Sequence, residues 1–561
     1  MERRRAVIVA CGEDGAFAKE LMKRWTAAIV AASFTCLLNA ADKSYVSGKL
    51  DVQAEDLLTQ PVSANWISYN GDYSGRRYSA LNGINATNVG QLRAQWVFHA
   101  QNTNRLETTP LVVNGIMFLT AANDAFALDA RTGRVVWHHA VPISEGLIDD
   151  ASGHINRGVA VWRDRVYMET DNAHLLCLDA RSGNTIWDVA YADWNKNYGA
   201  TSAPLVVKDK ILVGTSGGDD GVRGFVAAYD AQSGKLDWRF WTIPGPGEVG
   251  SNSWPGNMYL RGGGTTWMPG TYDPELNLIY WGTSNPAPDF NDDVRPGDDL
   301  YTDCLLALDP DTGKLKWYFQ FTPHDLFDYD AVETPMLVDA PYKGASRKLV
   351  VEANRNGYLY VLDRTDGTFL AATPFVEKLN WASGIDEKGR PIRTDVRPTA
   401  TGTRVCPAFV GATNWYSPSY NPSTGLVYFL ALERCETYFS APTPTFQEGK
   451  EYYSTGVKRI AGEDSQKNLL AYSLGTGDLA WKYPQTGTGH SSGGTMTTAG
   501  GLLFFGDDAG SFEAVDAQTG KPLWHFNTGQ NASASPMTYA VDGKEYVAIA
   551  AGSDVFSFAL P

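Results

Sequence analysis

One eleven-residue pattern recurs along the chain: a small or apolar residue, Asp, a turn ending in Gly, then Trp four positions after the Gly. The copies are ALDARTGRVVW (127–137), CLDARSGNTIW (177–187), AYDAQSGKLDW (228–238), ALDPDTGKLKW (307–317), AYSLGTGDLAW (471–481) and AVDAQTGKPLW (514–524). A seventh, VLDRTDGTFL (361–370), has Leu370 in the Trp position. Successive Trp positions are often 43 to 53 residues apart, and further apart where inserts lie. Alternating apolar runs such as GIMFL and LLCLD predict strands. The Asp caps a tight turn, and the Gly supplies positive φ before the next strand. A Trp repeated at one place in each unit can bury a large flat surface against a neighbouring unit. A period of this size with about four strands per unit predicts an all-β chain folded as a β-propeller with Trp-docking repeats. Trp96, in VGQLRAQWVFHA, is expected to sit on the closing strand of another unit, and the interval 371–470 has room for a degenerate blade around GLVYFLALE. The expectation is eight blades, with the N-terminal strand completing the last. Inserts at 240–300 and 371–410 interrupt the period, and propeller inserts gather on one face and build sites there.

At 561 residues the chain is too long for one ordinary core, so a repeat architecture suits it. A net charge of −16 argues against nucleic acid or an anionic membrane surface as partner. Residues 23–41, KRWTAAIVAASFTCLLNAA, read as a secretory signal, too short to span a bilayer comfortably. Residues 1–40 are therefore expected to be an N-terminal extension and signal peptide, with 41–561 a single propeller domain. Met22 stands just before the signal, so the start at Met1 or Met22 stays open. Export would permit disulfides. Cys406 and Cys435 flank a hairpin-like segment and are predicted to be bridged, while Cys177 and Cys304 lie in apolar runs and are expected to be buried thiols. No Cys-x-x-Cys-His occurs, so covalent haem of that type is not expected.

The stretch QFTPHDLFDYDA (320–331) sets Asp325, Asp328 and Asp330 beside Phe321, Phe327 and Tyr329. Acids this dense beside aromatics suit a partly dry pocket for a hard cation, or a general base; they also suit a solvated acidic loop. With the Trp repeats and the secretion signal, this stretch and the segments quoted next resemble the quinoprotein alcohol dehydrogenases that use pyrroloquinoline quinone (PQQ), from about Trp66 to Phe558. Methanol dehydrogenase is the type member of that family of eight-bladed propellers.

The resemblance implies roles. Asp328 falls where the family has its catalytic base, taking the alcohol's hydroxyl proton while hydride passes to the quinone. Arg355, in EANRNGYLYVLDR, matches the Arg that contacts the quinone oxygens, and Arg157, in NRGVA, one that pairs with a PQQ carboxylate. Trp267, in GGGTTW, matches the indole on which the cofactor stacks, with Thr265 nearby. Thr201, Ser216, Gly217 and Gly218 fit further polar contacts, and Asn414 and Trp415 the far wall. Asn285, in WGTSNPAP, matches a metal-ligand Asn, alongside Asp219, Asp328 and Asp330. An Asp two places after the catalytic Asp marks the family's lanthanide-dependent members; a trivalent hard cation gains more from an extra carboxylate than Ca²⁺ does.

Three positions depart from the family pattern. Asp219 replaces a metal-ligand Glu, and Asp220 beside it would point the opposite way on a strand. Ala151-Ser152 stands where many relatives have a vicinal Cys pair, and Ser492 where a Trp is common. The implied protein is a periplasmic, lanthanide-dependent PQQ alcohol dehydrogenase, monomeric or homodimeric, that oxidises a primary alcohol and gives electrons to a separate cytochrome c. The rivals are a calcium enzyme of the same family and a non-catalytic propeller scaffold. The second has no reason to hold Asp328, Asp330, Arg355 and Trp267 together.

Overall fold

The structure is a computed structural model, and it describes residues 50–561 apart from 102, 104, 454 and 487–492. The expected signal at 23–41 and the Ser492 substitution lie outside the described residues. The described chain is built from antiparallel strands, with helix confined to a few short turns. Among the described residues the strands form seven four-stranded sheets and one five-stranded sheet, with a two-stranded and a three-stranded sheet beside them. None of these sheets closes on itself.

Each repeat copy forms one turn of one sheet. In the first, strand Asp124–Asp129 pairs with Val135–Ala140. The Asp129 carboxylate accepts the Arg131 backbone N–H at 2.9 Å, and Gly133 takes φ +70°. The Trp then reaches the next copy. Trp137 covers Gly183 so closely that a Cβ there would lie 2.7 Å from the indole. Its Nε1 donates to the Ala180 carbonyl at 3.0 Å. Trp96 does the same to Gly133 and Ala130, and Trp238 to Gly313 and Pro310. The Gly is thus needed twice, for positive φ and for the ring lying on it. In the seventh copy the position four after Gly367 is Ala371, which pairs with Val361 as Trp137 pairs with Ala127, so Ala371 and not Leu370 replaces the Trp, and the following turn glycine, Gly477, has only Thr373 near it.

The strand Arg93–His99, which carries Trp96, pairs with Asp554–Ala559 and so joins the two ends of the described chain in one sheet. GLVYFLALE does not form a blade of its own. Leu426–Glu433 pairs with Gln466–Ser473, the strand that enters the 471–481 copy, so the two belong to one sheet. The insert between these two strands carries Glu436–Tyr438 and Val457–Arg459, which join Thr403–Val405, from before Leu426–Glu433, in the three-stranded sheet. The disulfide Cys406–Cys435 ties its strands Thr403–Val405 and Glu436–Tyr438. Cys177 and Cys304 are buried free thiols.

Candidate active site

The stretch 320–331 turns back after strand Leu315–Gln320 and is fixed from within. Asp325 accepts the Phe327 N–H at 2.9 Å and the Tyr329 N–H at 2.7 Å, so its carboxylate is consumed by the loop. Phe321, Phe327 and Tyr329 point into the core, all 1 % exposed or less. The Tyr329 hydroxyl donates to the Pro407 carbonyl at 2.6 Å. That leaves Asp328 and Asp330 facing a cavity of about 440 Å³. Asp328 sits at φ +62°, a left-handed conformation held by the loop around it. The acidic stretch is therefore a pocket wall and not a solvated loop.

Every residue singled out by the sequence for PQQ, metal or catalysis lines that one cavity: Arg157, Thr201, Ser216, Gly217, Gly218, Asp219, Thr265, Trp267, Asn285, Asp328, Asp330, Arg355, Asn414 and Trp415. Gly217 and Gly218 have no room for side chains: a Cβ would lie 2.1 Å from the Asn197 carbonyl and 2.8 Å from Thr265 Oγ1 respectively. The Ser216 hydroxyl donates to the Ala151 carbonyl, which fixes the Ala151-Ser152 segment against this wall. Asn414 accepts the Trp415 N–H and donates to the Val410 carbonyl, which bends the far wall into place.

Charge is concentrated on one side. Arg355 Nη1 pairs with Asp330 and lies 3.5 Å from Asp328 Oδ1, while Nη2 donates to the Phe409 carbonyl at 2.8 Å. Burial pushes the Asp328 carboxyl well above its usual range; Arg355 opposes that push, and Asp330 and Asp219 add to it. Burial likewise raises Asp330, against the pull of Arg355. Burial works against the charge on Arg355, but Asp328 and Asp330 outweigh it and hold the guanidinium more firmly protonated.

Arg157 has a partner that the sequence does not predict. It is 4 % exposed and forms an ion pair with Glu107 at 2.7 Å, which Arg105 also pairs at 2.6 Å. Its guanidinium lies 5.0 Å from the Trp267 ring centre and 4.6 Å from that of Trp415. It thus stands between the two indoles with one carboxylate partner already in place. Glu107 and Arg105 escape sequence reasoning because LETTP matches no motif.

Asp219 lies in a turn and not on a strand, with Asp220 N–H donating to the Gly217 carbonyl. Asp219 faces the cavity and Asp220 is fully buried away from it, so the two do diverge, by a turn and not by strand alternation. Asp289, which also escapes sequence reasoning, is 5 % exposed and accepts the Asn285 Nδ2 hydrogen at 2.8 Å. Among the described residues no three Asp, Glu, His or Cys side chains already converge on one point as metal ligands do. The donor set along this wall is nonetheless all hard oxygen, three carboxylates and one amide, and it fits a hard cation.

The family profile described as "Glucose/ethanol/alcohol dehydrogenase, beta-propeller domain", a PQQ family, matches residues 66–379 and 464–547. The chain is 38% identical over 522 residues to quinohemoprotein alcohol dehydrogenase ADH IIB of Pseudomonas putida, covering 88% of this chain and 74% of that one. It is 35% identical to the lanthanide-dependent methanol dehydrogenase of Methylacidiphilum fumariolicum, covering 87% of this chain and 84% of that one. Among solved structures, a europium-containing methanol dehydrogenase superposes with a TM-score of 0.84 at 32% identity, over 90% of this chain and 99% of that one.

Proposed function

The chain belongs to the PQQ-dependent alcohol dehydrogenase family, and from that premise we propose a periplasmic, lanthanide(III)-dependent enzyme that oxidises a primary alcohol to an aldehyde and passes electrons to a cytochrome c. The observation that carries the metal reading is Asp330. It stands two residues after Asp328 on the same cavity wall, buried and aimed inward, with Asp219 and Asn285 beside it. Once a cation holds them ionised, three carboxylates outweigh the single charge of Arg355 on this wall. A trivalent ion gains more from that field than a divalent one, because Coulomb energy scales with ion charge. Asp219, Asn285, Asp328 and Asp330 would hold the ion. A cation there would draw Asp330 from Arg355 and free the guanidinium to face the quinone oxygens.

PQQ, when bound, supplies the hydride acceptor. The chain supplies the rest. Trp267 offers a flat face for the ring system, and Arg157 a buried cation for a carboxylate. Asp328 takes the substrate's hydroxyl proton; its burial raises its basicity, against the pull of Arg355. Phe409, Trp415 and Ile155 give the cavity an apolar side that suits a small carbon chain. The proposed electron acceptor is a cytochrome c. The same reading makes the eight larger sheets the blades of one propeller domain spanning 41–561. Their count, and the Trp that locks one repeat to the next, support it.

The test is dye-linked alcohol oxidation by apo-protein reconstituted with PQQ and La³⁺, Ca²⁺ or neither, for the parent and Asp330→Ala. Activity with La³⁺ that Asp330→Ala loses by at least about tenfold is expected. Activity with Ca²⁺ that survives Asp330→Ala would replace the lanthanide reading by the calcium one.

A further inference from the structure

Asn285 is the one neutral side chain in the proposed cation-binding set, and a ligating amide works only if its oxygen faces the ion. Its Nδ2 donates to Asp289 Oδ1 at 2.8 Å and to Asp219 Oδ1 at 3.1 Å. Its backbone N–H donates to Asp330 Oδ1 at 2.9 Å. An NH₂ group has two hydrogens, and these two carboxylates take them, so the role of ligand falls to Oδ1. The two partners are not equivalent. Asp219 is itself a cavity-facing donor, and an ion that claimed its oxygens would weaken its hold on the amide. Asp289 does not line the cavity. It is 5 % exposed and lies four residues on in the same loop. Arg295, fully buried, braces that loop by donating from Nε and Nη2 to the Pro288 carbonyl at 3.3 and 3.2 Å.

We propose that Asp289 is the positioning residue of the cation site, holding the Asn285 amide with its oxygen toward the ion when Asp219 turns to ligate. The proposal rests on the reading that a cation binds beside PQQ. It also gives the short Asp219 side chain a counterpart: the amide no longer depends on Asp219 for its orientation.

The experiment is Eu³⁺ luminescence titration of PQQ-loaded protein, with thermal unfolding of each apo-protein as the control for folding. Asp289→Leu, which keeps the side-chain branching and removes the acceptor, is expected to lower Eu³⁺ affinity by about 10- to 100-fold, the usual cost of losing a residue that orients a ligand. Asp289→Ala serves if the Leu variant does not fold. Asp289→Asn retains an acceptor oxygen and is expected to keep most of the affinity. In an Asn285→Ala background the effect of Asp289→Leu should largely vanish. Parent-like affinity in Asp289→Leu overturns the proposal. So does a loss in Asp289→Asn equal to that in Asp289→Leu, which would make the charge and not the hydrogen bond responsible, or a full Asp289→Leu effect without Asn285. A parent that binds no Eu³⁺ overturns both this proposal and the cation reading. A parent that binds, with Asp289→Leu unchanged, overturns this proposal alone.

Discussion

At the scale of residues, the sequence reveals chemistry that faces a cavity more readily than the chemistry that supports it. Asp328, Asp330, Arg355 and Trp267 stand in recognisable segments, and the structure brings them to one wall. Glu107 stands in a segment without a motif, and only the fold brings it to Arg157; Asp289 directly follows WGTSNPAP, but its contact with Asn285 depends on how that loop turns. Asp219 and Asp220 show the limit of local rules. Strand alternation predicts their divergence, yet a turn produces it. A buried acid that does not line the cavity gives a pH prediction. Glu169 is pushed up to about 8 by burial, opposed by the Tyr191 hydroxyl, which donates to it at 2.5 Å. A carboxyl raised in the folded state favours folding fully below its unfolded pKa, and that contribution is lost as pH rises through the folded value. The parent should therefore lose stability relative to Glu169→Gln between about pH 4.5 and 8. At about 1.4 kcal/mol for each tenfold change in proton affinity, the loss is on the order of a few kcal/mol. Denaturant melts of both proteins at pH 5 and pH 8.5 check it; a constant difference between them would show that Glu169 stays ionised.

At the scale of elements, the repeat states its own packing. The eleven-residue pattern predicts a turn, a positive-φ Gly and a docking Trp, and the structure places the indoles of Trp96, Trp137, Trp187, Trp238, Trp317 and Trp481 on the Gly of the following copy, while Trp524 packs on Phe512 and Phe558. The strand that GLVYFLALE forms is legible in the sequence, but its membership is not. Strand pairing is set by which chain returns beside it, here after the insert that ends near 459. Trp238 tests the docking. It is 9 % exposed, lies on Gly313 and donates to the Pro310 carbonyl at 2.9 Å. Trp238→Ala leaves a cavity between two sheets and is expected to cost about 3–5 kcal/mol, read as a fall in the denaturant midpoint. Trp238→Phe keeps part of the area without the N–H and should fall between. Equal losses for both would place the stabilisation in the hydrogen bond and not in the buried face.

At the scale of the whole molecule, loops from many sheets converge on one cavity, which is why its residues are scattered from Arg105 to Trp415 in sequence. Order and spacing of motifs carry that convergence in the sequence; the ion pairs inside it depend on distances that no spacing fixes. The central claim is that this cavity oxidises alcohols with Asp328 as the base. The most direct measurement is the rate of dye-linked oxidation of a primary alcohol and of its 1,1-dideuterated form. It would be made on protein saturated with PQQ and cation, for the parent and Asp328→Asn, with bound PQQ measured in both. The account predicts a slower rate for the deuterated alcohol in the parent. It also predicts a loss of about 10²–10⁴-fold in Asp328→Asn, the usual contribution of a general base, at unchanged PQQ content. Parent-like turnover by Asp328→Asn with PQQ fully bound would contradict it.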